Sequence, residues 1–329
     1  MADSRASRFT LIERGSSSSS LSDDVRRGLT ATPKSLPSHH FYDELGSALF
    51  DAITRLPEYY VTRAETDVLA EHCDEIAAAF GTPARLIELG AGSARKTRLL
   101  FDAVLRRQEK LEYVPIDVDP TILERSGRDL LDEYPSLRVA AIASDFRAPS
   151  RALAGALDSG ARNVVLFLGS TIGNLDFEES IAMFRDLRRV LREGDALFLG
   201  ADLKKSISVL EPAYDDALGV TAAFNLNLLQ RINRELSANF DLKRFAHRAF
   251  FNEERSRIEM HLVSREAQSV RIEALGLDIP FAAGESIHTE SSHKYDTAAI
   301  ERIARESGFA LERQWTDSNG WFADFLMRR

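Results

Sequence analysis

The stretch Leu86-Ile87-Glu88-Leu89-Gly90-Ala91-Gly92-Ser93 constrains this chain more than any other. A short apolar run meets an acid and then breaks into two glycines one residue apart, and residues 94–105 carry a helical pattern behind it. Strand, glycine-rich turn and helix in that order form the place where α/β folds bring backbone N–H groups against a nucleotide-like ligand. Gly90 permits the sharp turn, and Gly92 permits close approach of a ligand to the backbone. By itself this turn suits several ligands, dinucleotides among them.

The surroundings narrow the choice. Short apolar runs at 85–89, 112–116, 138–143, 164–168 and 196–199 read as buried strands, with helices expected at 94–105, 122–131, 151–157 and 177–191. Asp119-Pro120 is a helix opening, an N-cap followed by proline at the first helical position. This alternation predicts a parallel, doubly wound sheet. Past residue 204 the pattern changes to helices at 208–217 and 220–236 and strand-like segments at 244–251, 256–264 and 268–274. A helix at 297–306 then leads into strands at 309–316 and 321–327, joined by Asp317-Ser318-Asn319-Gly320. Asn-Gly between aromatic-containing strands signals a hairpin. The expected fold is therefore α/β: a Rossmann-like, doubly wound sheet closed by a C-terminal antiparallel hairpin, as in class I methyltransferases and unlike dehydrogenases. An α+β second domain is expected from the inserted part.

With 329 residues, 44% of them apolar, the chain can bury a large core. A net charge of −9 argues against nucleic acid and against an anionic membrane surface as partners. Cys73 stands alone, so no multi-cysteine zinc site is expected and a reducing cytoplasm fits. There is neither a run of ~18 apolar residues nor an apolar core near the N-terminus of the signal-peptide kind. Residues 15–20 are serine-rich and read as part of a flexible lead-in over 1–20. A helix is expected from Thr62, with Glu65 completing a capping box.

The third glycine of a dinucleotide fingerprint is missing, since Arg95 occupies its place. A dinucleotide needs that turn for its pyrophosphate, whereas S-adenosylmethionine carries no phosphate and brings a sulfonium and an aminoacyl tail. Glu88 suits such a cation better than it suits a diphosphate. Asp117 ends the second strand, where an acid can accept from both ribose hydroxyls. Asp145-Phe146 follows the third strand, placed for an adenine amino group and ring, and Lys96 can pair with the cofactor carboxylate. Any one of these could equally be a turn glycine or a helix cap. Together they point to S-adenosylmethionine and no metal.

Asn174 lies in Gly169-Ser170-Thr171-Ile172-Gly173-Asn174-Leu175, at the carboxyl edge of the sheet, where it can bind a small polar substrate or simply turn the chain. Ala213-Tyr214-Asp215-Asp216 falls on an expected helix. The segment 284–295 is too polar for a strand interior and too rich in hydrogen-bonding groups for a plain linker. Its His288 and His293 are expected to face solvent, since no matching Cys/His/Asp cluster is evident.

Six segments, in order, resemble the histidine-specific methyltransferase family. They are Phe41-Tyr42-Asp43, Leu56-Pro57-Glu58-Tyr59-Tyr60-Val61-Thr62-Arg63, Glu88 to Gly92, Gly169 to Asn174, Ala213 to Asp216, and Thr289-Glu290-Ser291-Ser292-His293-Lys294. The resemblance covers the chain from about residue 20 onward. It implies S-adenosylmethionine-dependent trimethylation of the histidine α-amine, the entry to ergothioneine biosynthesis, by a cytoplasmic monomer. It implies a methyltransferase domain over 64–204 and 295–329 and a substrate-binding domain over 21–63 and 205–294. By the family pattern, Asn174 and Tyr214 bind the substrate carboxylate. Tyr59, Glu290, Ser291 and Ser292 surround the imidazole, with Met260 as an apolar wall. Tyr42, Gly90, Lys96, Asp117, Asp145 and Phe146 hold the cofactor, and Tyr42 and Tyr59 line the reacting amine. Val61 departs from the pattern, which has proline after the double tyrosine. The competing readings are an N-methyltransferase of the same family acting on tryptophan or an indole, and a module that binds S-adenosylmethionine without turnover.

Overall fold

The computed structural model describes residues 8–14, 20–157 and 160–329. They form two compact units. One takes the described part of Met1–Ser17 with Arg63–Leu203 and Tyr295–Arg329, and the other the described part of Ser18–Thr62 with Lys204–Lys294.

The first unit is built on eight strands: β1 (Phe9–Glu13), β2 (Ala84–Leu89), β3 (Leu111–Asp117), β4 (Leu137–Ala143), β5 (Arg162–Phe167), β6 (Ala196–Asp202), β7 (Ala310–Thr316) and β8 (Phe322–Arg328). Their order is β1-β4-β3-β2-β5-β6-β8-β7. The first six run parallel, while β8 is antiparallel to both β6 and β7. This is the class I methyltransferase sheet with one parallel strand added at an edge.

Alternation decides which face each side chain covers. Leu86, Tyr113, Val164 and Phe198 join Phe101 and Leu69 on one face, while Ile87, Val114, Val165 and Leu199 join Phe184 and Ile300 on the other. Burying each such side chain contributes about 1.5–3 kcal/mol. The expected helices appear as α1 (Val61–Phe80), α2 (Thr97–Leu105), α3 (Pro120–Glu133), α4 (Phe177–Val190) and α5 (Thr297–Ser307). Asp119 caps α3 as expected, accepting from Thr121 N at 2.8 Å.

The second unit is α+β. Helices Glu44–Ile53 and Val220–Leu236 pack together. The second of them lies on a four-stranded sheet ordered Lys34–Ser35, Ser286–His293, Arg257–Ser264, Phe245–Asn252. A separate antiparallel ribbon joins Gln268–Ile272 to Leu277–Phe281. Asp43 caps Glu44–Ile53 and also accepts from Asn227 of Val220–Leu236 at 2.8 Å, tying the two helices.

Several expectations are corrected. Residues 15–19 of the serine-rich stretch lie outside the described residues, but the lead-in is not wholly irregular. Phe9–Glu13 pairs in parallel with β4, because Phe9 and Leu11 find apolar cover on the core. The helix expected at 151–157 is helical only over Pro149–Ala152, and Gly155 at φ +68 turns the chain away. That expected at 208–217 stops at Leu210, since Pro212 has no N–H to continue it, so Tyr214 sits on a turn. The segment judged too polar for a strand is the strand Ser286–His293, paired on both edges. Among the described residues no helix is long and apolar enough to cross a membrane.

Candidate active site

In the first unit, strand order reverses around β2, which lies between β3 and β5. The loops leaving β2 and β5 therefore open at the crevice where α/β sheets bind ligands. Gly90 N and Ala91 N both donate to Ile116 O, at 2.9 and 3.1 Å, folding the glycine turn over the end of β3. Gly92 N donates to Asp117 Oδ2 at 3.1 Å. Gly90 and Gly92 adopt φ +72 and +49, and a Cβ placed on Gly92 would meet nothing within 4 Å. A Cβ on Gly90 would lie 3.5 Å from the Phe146 ring, so that aromatic crosses the turn as the cofactor reading requires. Burial pushes the Asp117 carboxyl up, against the backbone N–H groups of Asp119 and Gly92. Asp145 is already clasped by Arg147, whose Nη2 stands 2.9 Å from Oδ2. An open backbone turn, a strand-end acid and an aromatic ring beside the turn are chemically compatible with S-adenosylmethionine.

Two acids differ from expectation. Glu88 is buried against hydroxyls: its carboxylate accepts from Thr97 Oγ1 at 2.8–2.9 Å and from the Tyr113 hydroxyl, joining β2 and β3 to the start of α2. Burial raises its pKa to about 7, against those two hydroxyls. Glu65 does not close a capping box. It is fully buried, its Oε1 accepting from Gly169 N at 2.7 Å and its Oε2 from Lys96. One carboxylate therefore ties the residue that opens α2 to the loop that carries Asn174. Gly200 is required beside it, since a Cβ there would collide with Glu65 and come within 3.0 Å of Asp324 Oδ1. Lys96 is pushed down to about 8 by burial, opposed by the charge of Asp324. Asp324, raised well above the carboxylate range by burial, has no hydrogen-bond partner among the described residues. Nothing in the local sequence around Asp324 marks it, because its neighbours come from β6 and α2.

Asn174 ends a short 3₁₀ turn, Thr171–Asn174, entered through Ser170 at φ +55. Asp202 N donates to Ser170 Oγ at 2.9 Å and the Tyr295 hydroxyl to Ile172 O at 3.1 Å, which pins the turn to the end of β6.

The second unit gathers most of the other candidates. Tyr42, Phe50, Tyr59 and Tyr214 form a run of edge-to-face rings with successive centroids 5.6, 6.2 and 6.1 Å apart. Tyr42 is 43% exposed and Tyr59 only 8%. Glu290 pairs directly with Met260 across the Ser286–His293 and Arg257–Ser264 strands. Ser292 follows on the same face and meets the Tyr214 hydroxyl at 2.7 Å. Burial raises Glu290 to about 7, against the charge of Lys294.

Ser291 is separated from this group. Alternation turns it to the other face, where it meets His288 Nε2 at 3.1 Å. That face also differs from the expectation for His288. His288 is half-buried beside His261 and Glu259, their ligand-type atoms within 4.8 Å of one another, and Asp24, His39 and His40 make a second such group. Arg257 lies on Glu259 and Arg27 on Asp24, occupying oxygens that a cation would need.

A family model described as histidine-specific methyltransferase, SAM-dependent, matches residues 21–329. The chain belongs to this family. Among curated relatives, the histidine N-alpha-methyltransferase of Mycolicibacterium smegmatis is 46% identical over 93% of this chain and 94% of its own. That of Mycobacterium tuberculosis is 44% identical over 91% and 92%. A more distant one, an L-tryptophan methyltransferase of Psilocybe serbica, is 29% identical over 92% and 91%. The names of these relatives thus differ in the amino acid they give as acceptor.

Proposed function

We propose that the protein transfers methyl groups from S-adenosylmethionine to the α-amine of L-histidine, three in succession, to give hercynine for ergothioneine biosynthesis. The observation that carries the reading is the pairing of a half-buried carboxylate, Glu290, with the apolar Met260 on one sheet face, beside the Ser292–Tyr214 hydroxyls. A carboxylate accepting from an imidazole N–H rewards histidine, and a ligand without that donor leaves the acid unpaired, at a cost of about 1–3 kcal/mol. Tryptophan also carries one ring N–H, so against its larger indole it is Glu290 together with Met260 that favours histidine.

When bound, S-adenosylmethionine would supply a methyl group on a sulfonium to the neutral α-amine, which must lose a proton before each further methylation. Asp117, Phe146 and the Gly90–Gly92 turn would hold the donor. Lys96, tied to Glu65, would pair with the donor carboxylate, and by the family resemblance Asn174 and Tyr214 would bind the substrate carboxylate. Aligning amine, methyl carbon and sulfur with water excluded can lower the barrier by ~7–11 kcal/mol, and asks for no nucleophile from the protein. Tyr42 and Tyr59 line the amine, offering phenolic acceptors to N–H groups and ring faces to the growing methylammonium charge.

In this reading the described unit of 63–203 and 295–329 carries the donor, and that of 18–62 and 204–294 is the substrate-binding domain. The enzyme acts as a cytoplasmic monomer without metal, nucleic acid or membrane partner. Its negative charge and single cysteine support that setting. Mass spectrometry after incubation with S-adenosylmethionine and each of the twenty amino acids tests the acceptor. Trimethylated histidine is the expected product; a methylated tryptophan, or no product, would replace the reading.

A further inference from the structure

Lys294 ends the Thr289–Lys294 segment and has no part in the roles assigned above. It is a lysine only 2% exposed, in the second unit. Its Nζ donates to Tyr214 Oη at 2.9 Å and to Ser292 Oγ at 2.8 Å. Those two oxygens are themselves 2.7 Å apart, and the ammonium stands 4.7 Å from the centre of the Tyr214 ring. Its backbone N–H, donating to Ser256 O at 2.8 Å, fixes where the side chain starts.

Counting protons gives this triangle a direction. An ammonium only donates, so it occupies an acceptor lone pair on each hydroxyl oxygen. One hydroxyl proton then bridges the Tyr214–Ser292 contact. The other hydroxyl cannot give its proton to Lys294, and must give it to a third acceptor. Without the ammonium, either hydroxyl could turn and accept instead.

We propose that Lys294 is a positioning residue for acceptor selection, which leaves one proton of the Tyr214–Ser292 hydroxyl pair directed toward an anionic or lone-pair-bearing substrate. This deepens and rests on the reading of histidine as substrate. If Ser292 donates to Tyr214, the phenol proton goes to the substrate carboxylate. If Tyr214 donates to Ser292, the serine proton goes to an imidazole nitrogen that lacks hydrogen. The same ammonium acts on Glu290, lowering a carboxyl that burial alone would protonate more completely, and so keeps it an acceptor for the imidazole N–H. A substrate with one imidazole N–H and one bare nitrogen meets one acceptor and one donor. Lys294 is what makes those two roles unequal.

The test compares the wild type with Lys294→Met, Tyr214→Phe and the double variant, reading kcat, KM for histidine and calorimetric affinity for S-adenosylhomocysteine. Lys294→Met is expected to raise KM for histidine roughly 10–100-fold, with S-adenosylhomocysteine affinity unchanged and kcat reduced much less. In the Tyr214→Phe background the same change is expected to cost several-fold less, because its target hydroxyl is gone. An unchanged histidine KM in Lys294→Met overturns the proposal, as does a loss equally large with and without the Tyr214 hydroxyl. Should Lys294→Met fail to fold, Lys294→Gln, uncharged but still a donor, is read against the same criteria. Wild type that methylates no histidine removes the substrate reading itself and this proposal with it, whereas active wild type with insensitive variants removes only the role of Lys294.

Discussion

Met260 and Glu290 are direct partners across an antiparallel strand pair, and a register shift between His288 and Glu290 sets that pairing. Thr289 occupies the irregularity, its Oγ1 donating to Met260 O at 3.0 Å. Before the shift, His288 opposes His261; after it, Glu290 opposes Met260. One extra residue thus sends the histidine to one face of the sheet and the carboxylate to the other.

Glu290→Ala removes the acceptor on that face. Histidine affinity is expected to fall by about 100-fold or more, as for a lost charge-assisted hydrogen bond with its geometry. Affinity for S-adenosylhomocysteine should stay as it is. Calorimetry with each ligand checks both, and unchanged histidine binding would remove Glu290 from the site.

Tyr42→Phe keeps the ring beside Phe50 but loses the phenol. Partly methylated histidines are expected to accumulate, with the overall rate down about 5–10-fold for one lost hydrogen bond. Time-resolved mass spectrometry reads the intermediates. Full rate with only the trimethylated product would deny the phenol a role.

Glu88 carries a pH signature in stability. Burial raises its carboxyl to about 7 in the folded protein, from an ordinary value of 4.5. A raised folded pKa means the native state binds the proton more tightly. Its contribution is therefore fully present below about pH 4.5 and is lost as pH rises through about 7. Glu88→Gln, which mimics the protonated acid, should lose none of that stability. Its unfolding free energy is expected to gain on the wild type from pH 4.5 to 8, by a difference on the order of 1–3 kcal/mol, read by denaturant titration at each pH. A constant difference across that range would contradict the assignment.

Glu65 and Lys96 give a second, functional signature. Lys96 titrates near 8, so its charge fades as pH rises through that value. Affinity for a carboxylate-bearing donor should weaken above pH 8 in the wild type. In Glu65→Gln the weakening should begin at lower pH, since the partner charge that holds the ammonium is removed. Fluorescence or calorimetric titration of S-adenosylhomocysteine from pH 6.5 to 9.5 follows the limb. An identical limb in both proteins would show that Glu65 does not act on Lys96.

Much of the first unit was legible beforehand, because its order is written in local signals. Buried parallel strands announce themselves as apolar runs, the Gly90-Ala91-Gly92 break marks a turn wherever it occurs, and Asp119-Pro120 opens a helix by its own chemistry. The terminal hairpin held too, although Asp317 organises its turn, accepting from Trp321 N and Phe322 N at 2.7 Å each. The polar strand Ser286–His293 was not legible, since neither of its faces is a plain apolar core face. Its polar side chains are satisfied by one another and by neighbouring strands that sequence does not place.

The chain alone determined its α/β class, its glycine-rich turn after β2 and its family, because strand burial, glycine turns and ordered motifs are properties of short segments. Tertiary structure alone decided the partners of its charges. Glu65 reaches Gly169 and Lys96, Glu88 reaches Tyr113, and Lys294 reaches Tyr214, each across a sequence separation that no local pattern spans. A buried charge costs several kcal/mol unless it is paired. That cost determines which distant groups must meet, but only the folded chain determines which ones can.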